Sequence, residues 1–392
     1  MTFPKFRRSL ALSFLALAVG GCGAKNWVSN YMAGEDNNTP PAPLVQFEPT
    51  VAIKQAWTTH FGKGADELFL KLEPKVADGN IYVAERRGRV AAFRAADGNR
   101  VWQTDTDSQI AGGPGVGEGL VMVGTSEGRV IALNETDGKP VWQAQVSSEV
   151  LAAPKAADGV VIVHTGDGNV TGLNAKTGKK LWIYDRTEPL LTLRGTSPPL
   201  LYKDMAIIGL DNGRLVALES STGKVIWETL IAVPRGRTDL ERMVDIDAQP
   251  LLVGDTVYVV SYQGRLAAVT ADSGQILWSR DISSYAGINV DDRMVYLTDS
   301  GGLVWAIDRA TGASVWKQDK LQARASSAPA PVGEVVAVGD VQGYVHWMSR
   351  ADGHFVNRVQ VDKTPILAPP VSVDGTLYVY SSGGTLAAFR PQ

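Results

Sequence analysis

Cysteine is almost missing from this chain: Cys22 is the only one in 392 residues. No intrachain disulfide can form, and no cysteine-based metal cluster either. Histidine is scarce as well, and His60, His164, His346 and His354 are scattered without metal-ligand spacing, so they read as surface or packing residues. Basic charge is in no excess. The formal charge of −3 becomes −6 once Lys5, Arg7 and Arg8 leave with the leader described below. That balance cannot neutralise a phosphate backbone and argues against nucleic acid as a partner. Neither H-E-x-x-H nor a Walker glycine loop occurs. What the chain does have is globular composition, 44% apolar and 20% charged.

Its N-terminus carries an address. Lys5, Arg7 and Arg8 form a basic region ahead of LALSFLALAV at 10–19, an apolar stretch too short to cross a bilayer as a mature helix, which marks a secretory signal. The VGGC at 19–22 resembles the lipobox of bacterial lipoproteins, in which the cysteine is lipidated and becomes the first mature residue. On that reading residues 1–21 are the signal peptide and 22–46 are lipidated Cys22 followed by a flexible, Pro-rich tether. Acyl chains at about 0.8 kcal/mol per buried methylene give firm attachment without a transmembrane helix. Gly23, where the sorting pattern would place Asp for retention, implies the outer membrane, with the protein on its periplasmic face.

The rest of the chain repeats itself. Gly88, Gly128, Gly168, Gly213, Gly264, Gly302 and Gly343 each open an apolar run such as GRVIAL, and Gly384 opens an eighth, GTLAAF. Fourteen residues after the first six stand Trp102, Trp142, Trp182, Trp227, Trp278 and Trp316; the seventh has Asn357, and the eighth runs out of chain. Trp57, near the other end, is the missing one. A proline precedes each repeat glycine by fourteen residues, from Pro74 to Pro370, except where Ile288 stands. The units read as four short strands, with Asp-Gly, Thr-Gly or Ser-Gly turns before the last. Runs apolar on both faces suit sheets sandwiched between neighbouring sheets. Four-stranded units of about 40 to 50 residues close into a β-propeller. The expected fold over 47–392 is therefore all-β: an eight-bladed β-propeller of four-stranded antiparallel blades, closed by pairing N- and C-terminal strands in one blade. The tryptophans are expected to wedge between blades.

Function is expected where the repeat departs from itself. The links from one tryptophan to the next proline vary in length and should share a face. Two consecutive links are long, IYDRTEPLLTLRGTSP at 183–198 and ETLIAVPRGRTDLERMVDIDAQ at 228–249. Leu190, Leu191 and Leu193 beside Arg194 offer apolar anchors and one cation, and Asp245 and Asp247 alternate so as to point to one side. This composition suits a protein-docking patch. A plainer alternative is that the leucines cap the core and Arg194 pairs with Asp245 or Asp247.

The lipobox, the eight repeats of the A-x-D/T-G-x-x-x-W kind and the two loops together resemble the BamB family, lipoprotein subunits of the outer-membrane β-barrel assembly machinery. LTLRG at 191–195, DLERMVDIDAQP at 239–250 and GYVHW at 343–347 are similar to the family's stretches. The resemblance implies a non-enzymatic scaffold without cofactor or metal. It implies that Leu191, Leu193, Arg194, Asp245 and Asp247 contact BamA through a POTRA domain, beside other subunits of the BAM complex and nascent outer-membrane proteins. The repeats are also similar to those of pyrroloquinoline quinone dehydrogenases, but the adjacent cysteine pair and the acid cluster of those enzymes are not found here. A WD-repeat adaptor fits less well, because no repeat tryptophan is followed by Asp. A polysaccharide-binding propeller stays open at this level.

Overall fold

The computed structural model describes residues 39–66, 68–186 and 191–392. Cys22, the signal peptide and the tether up to residue 38 lie outside the described residues, as does Leu190. From Pro41 to Gln392 the chain forms one compact unit. It is the expected eight-bladed propeller: among the described residues, 32 strands lie in eight antiparallel sheets of four. Blade one runs from Lys75–Ala77 at the axis through Asn80–Ala84 and Arg89–Arg94 to Arg100–Asp105 at the rim, and blades two to seven repeat this order. Blade eight takes three strands from the C-terminus, and its rim strand is Ile53–His60, paired antiparallel with Thr385–Pro391.

The sequence dictates this layering. The second and third strands of each blade are buried along their middles, as in Val160–His164 and Arg129–Asn134, whose end residues alone are half-buried in the latter, because both faces are covered. The cores of the described residues form eight apolar clusters, each shared by two adjacent blades. One of them joins Ile81, Val83 and Phe93 of blade one to Tyr378, Tyr380 and Leu386 of blade eight. Six of the seven repeat prolines sit just before the innermost strand, where a missing N–H costs no ladder bond. Pro114 instead lies within Ile110–Gly117.

The repeated tryptophan and the repeated glycine turn are two halves of one joint. Each indole N–H donates to a backbone carbonyl in the outer hairpin turn of the next blade, at 2.7–3.0 Å: Trp57 to Ala95, Trp102 to Glu135, Trp142 to Ala175, and so on to Trp316 with Arg350. The ring lies flat on the glycine of that turn. A Cβ on Gly138 would sit 2.4 Å from Trp102, and one on Gly178 would sit 2.7 Å from Trp142. These glycines also hold φ near +70°, so the position excludes a side chain twice over. The one departure, Asn357, now has a cause. Blade eight has no such turn, because its rim strand arrives from the N-terminus. Asn357 donates instead to the Val51 carbonyl at 2.7 Å.

The N-terminal segment is held along blade seven before it enters blade eight. Ala42 donates to the Gln322 carbonyl at 3.0 Å and accepts from Arg324 at 2.7 Å, and Val45 accepts from Arg358 at 3.0 Å. These bonds fall within the stretch assigned above to the tether. The two arginines belong to a buried network. Arg324 pairs with Asp340 at 2.6 Å, His346 Nε2 lies 2.8 Å from Asp340, and Arg358 Nε donates to His346 Nδ1 at 3.2 Å. That last bond places the His346 proton on Nε2, where it is given to Asp340. Burial depresses the His346 pKa against the pull of Asp340. Burial opposes charge on Asp340 too, but bonds from His346, Tyr344 N–H and Arg324 keep it below the ordinary carboxylate range.

Gly159 offers a control for the tryptophan seat, since it holds φ +78° with nothing within 4 Å of an added Cβ. Gly159→Ala should cost only left-handed strain, about 1–2 kcal/mol. Gly178→Ala should lose roughly 1–3 kcal/mol more through overpacking against Trp142. Denaturant unfolding of the two variants measures the difference, and equal losses would refute the seat.

Candidate docking face

All links from the rim of one blade to the axis of the next run over one face of the disc. In seven blades a backbone N–H in the turn between second and third strands donates to a carbonyl of the preceding link. Examples are Arg86 to Gly64 at 2.8 Å, Gly166 to Glu149 at 2.9 Å and Tyr262 to Asp245 at 2.8 Å. The exception is blade four, whose preceding link 183–198 is instead bonded to 228–249 through Leu193 and Ser197, so the two long links share this face and flank blade four.

The two loops are tied to each other. At their bases Arg186 forms a forked pair with Glu228, Nη1–Oε2 2.9 Å and Nη2–Oε1 2.8 Å, joined by Arg214 at 3.2 Å. The Arg186 bond leads the effects that hold Glu228 below the ordinary carboxylate range. Further along, Leu193 N–H donates to Asp245 Oδ2. Gly195 lies directly on the Asp247 carboxylate, where a Cβ would come within 2.7 Å of its Cγ. Ser197 Oγ donates to the Ala248 carbonyl at 3.1 Å, and buried His164 Nδ1 lies 3.0 Å from the Ser197 carbonyl. Within the second loop Glu241 accepts from the N–H groups of Arg237 and Thr238 at 2.7 and 3.1 Å.

The predicted residues thus come together on one face but divide in character. Leu191 is exposed, Leu193 is half-buried, and Arg194 is exposed. Arg194 does not pair with Asp245 or Asp247, as the plainer alternative had it. Its partner is Glu149, at 3.0 Å, from the preceding link. Asp245 is 1% exposed, so its carboxylate faces the loop backbone rather than solvent. Burial raises its pKa to about 6, against the bonds from the Leu193 and Val244 backbone. Its Oδ1 has no hydrogen-bond partner.

Sequence reasoning passed over a third apolar element on this face. The link at 61–73 leaves Leu68 exposed and Phe69 81% exposed, while Leu70 and Leu72 are buried against blades one and two. Lys71 Nζ donates to the Tyr285 carbonyl at 2.6 Å, in the link that enters blade six. Val233 and Leu240 of the second loop are exposed as well. A large apolar residue at the centre of an uninterrupted link was the available signal. Residues 124–128 also spell G-T-S-E-G, the pattern of a hydrolase nucleophile elbow. Here they form a strand-to-strand turn in which Ser126 Oγ accepts from Arg86 at 2.7 Å, a structural bond in place of the strand-to-helix elbow and its base. Among the described residues no three His, Cys, Asp or Glu side chains gather as a metal site.

Known proteins resemble this chain along nearly its whole length. The profile of the family described as outer membrane protein assembly factor BamB matches residues 86–318. A protein of that name from Pseudomonas aeruginosa is 48% identical over 379 residues, 97% of each chain. The crystal structure of BamB from Moraxella catarrhalis superposes with a TM-score of 0.80 at 26% identity, covering 86% of this chain and all of that one. A quinohemoprotein alcohol dehydrogenase from Pseudomonas putida shares the fold alone, with a TM-score of 0.68 at 15% identity over 86% of this chain and 76% of its own.

Asp245 gives the loops a pH dependence. A folded pKa of about 6 lies above the ordinary aspartate value of 3.8. The folded state therefore holds the proton more tightly, and the associated stability is present below pH 4 and lost as pH rises through 6. Asp245→Asn keeps an acceptor for Leu193 N–H without the charge. It should stabilise the protein at pH 7.5 by up to about 3 kcal/mol and leave it nearly unchanged at pH 4. Thermal unfolding at the two pH values checks this, and a gain of equal size at both would contradict it.

Proposed function

The chain belongs to the BamB family of outer membrane protein assembly factors, and from that membership we propose that it is a non-enzymatic scaffold of the outer-membrane β-barrel assembly complex. It docks on a periplasmic POTRA domain of BamA and assists folding and insertion of outer-membrane β-barrel proteins. The observation that carries this reading is the pair of cross-linked loops on one face of a closed ring. Leu191, Leu193 and Arg194 present the contact surface, and Asp245 and Asp247 fix its shape from beneath. Arginine is among the residue types enriched at interface hot spots, and the two leucines beside it supply apolar area to exclude water around it. Because Asp245 holds the loop backbone, the surface is ordered before the partner arrives, which lowers the entropy lost on binding.

The protein works at the membrane through lipidated Cys22, on the periplasmic face of the outer membrane. The twenty residues from Cys22 to Pro41 give a reach of at most roughly 70 Å at 3.3–3.6 Å per residue. Other subunits of the complex and nascent outer-membrane proteins are within that compass.

Two experiments test the reading. Leu191→Ala combined with Arg194→Ala changes exposed side chains only, so the melting temperature should stay within about 2 °C for a surface change while BamA capture falls at least tenfold. Full capture by the double variant would move the contact elsewhere. Cys22→Ser combined with the Leu191→Ala and Arg194→Ala docking variant should shift the protein from the membrane fraction to the soluble one, and continued membrane retention would reject the lipid anchor.

A further inference from the structure

The rim of the disc is less uniform than its interior. In every blade the residue just before the tryptophan position is the extra residue of a β-bulge in the rim strand, from Val101 in blade one to Val356 in blade seven. Such a residue is unpaired within its ladder and turns outward. On most blades the residue before it guards the edge. Blade one has Arg100, blade two Pro140, blade three Lys180, blade six Ser314 and blade eight Gln55. Charge, proline and polar groups here are the ordinary means of blocking strand addition at an exposed edge.

Three blades lack the guard. Blade seven has Phe355–Val356, blade four Val225–Ile226 and blade five Ile276–Leu277. On blade seven the chain covers its own edge. Thr50 and Val51 both donate their N–H groups to the Val356 carbonyl, at 3.0 and 3.4 Å. The Phe47 ring stacks on Phe355 with centroids 5.5 Å apart, and Val51 and Ile53 join the cluster that contains Val356. Val356 is 7% exposed as a result, against 45% for Ile226 and 52% for Leu277 at the same register. Blade five is also the only one of blades one to six whose tryptophan, Trp278, is not buried. The rim strand of blade four runs directly into the loop at 228–249, so the uncovered edges adjoin the docking face.

From this we infer that the outer edges of blades four and five bind an extended polypeptide segment that carries apolar side chains at alternate positions. The segment gives two consecutive N–H groups to the bulge carbonyl and lays its apolar side chains over the aliphatic pair, as residues 47–53 do on blade seven. A strand of an unfolded β-barrel has this chemistry. The choice of that occupant rests on the scaffold reading above, while the edge itself rests on the bulge, the missing guards and the covered counterpart.

The test uses the full chain and a fluorescent twelve-residue peptide that alternates valine with serine and threonine, read by anisotropy. Its control carries proline at two central positions, which removes N–H donors. The wild-type protein should bind the first peptide and not the second. Ile226→Lys with Leu277→Lys should weaken binding at least tenfold, and so should the milder pair Ile226→Thr with Leu277→Thr, whose folding is less at risk. Val101→Lys with Val315→Lys should leave it unchanged. Leu191→Ala with Arg194→Ala should lose BamA capture yet keep the peptide, so that failure of the docking reading and failure of the edge are told apart. No binding by wild type, equal binding of the proline control, equal loss from the blade one and six variant, or loss of BamA capture by the edge variants would each overturn the inference.

Discussion

Everything in this molecule depends on strands that are apolar on both faces. A sheet made of such strands cannot end at solvent, and a row of them cannot stop until it meets itself. The tryptophan joint converts that demand into a fixed geometry. Each indole seats on a glycine of the next blade and gives its N–H to the carbonyl beside it, so seam angle and seam register are set by one side chain. A large ring buried between sheets supplies area, and its bonded N–H removes the penalty of an orphan donor. The repeat is a set of paired plugs and sockets more than a set of similar blades.

Closure explains the exceptions to that rule. The ring is joined by bringing the N-terminal strand beside the C-terminal one, and this deprives blade eight of the hairpin turn that would receive a tryptophan. Asn357, the Val51 carbonyl and the Arg324, Asp340, His346 and Arg358 network fill that seam instead. The network holds Ala42 at Gln322, in a link on the same face as the docking loops and two links around the ring from 228–249. A buried charge cluster is a weak source of stability compared with apolar packing. Its effect here is positional, since it fixes where the chain leaves the ring.

The fold was legible because its cause is periodic. Apolar runs, turn glycines, prolines and tryptophans recur at set distances, and one blade strand missing at the C-terminus was matched by Trp57 at the other end. The site was legible only as a location. Loop length exposed 183–198 and 228–249, but the partner of Arg194 is Glu149, 45 residues away in a link of ordinary length, and no spacing in the chain points to it. Asp245 was read as a surface group because alternation with Asp247 is the visible signal, whereas its burial depends on how the first loop folds over it. Phe69 and the uncovered rims of blades four and five were missed for the opposite reason. An exposed aliphatic one residue before a rim tryptophan looks like ordinary strand alternation until the covered copy on blade seven is set beside it.

The two long loops raise a question of cost that their cross-links answer. Long links that stayed free in the unbound protein would lose that freedom on binding, at about 1–2 kcal/mol of backbone entropy per residue fixed. Here that loss is taken during folding, through the Arg186–Glu228 fork, the Ser197 bond to Ala248 and the Asp245 acceptor beneath Leu193. The cost then falls on stability, and Asp245 shows where. A carboxylate whose burial raises its pKa is a poor choice for stability alone, and an amide would accept the same N–H without ionising. At neutral pH the charge strengthens the bond it accepts even as burial penalises it. A stiff loop at the expense of folding free energy is the balance expected where a surface must keep its shape for a partner.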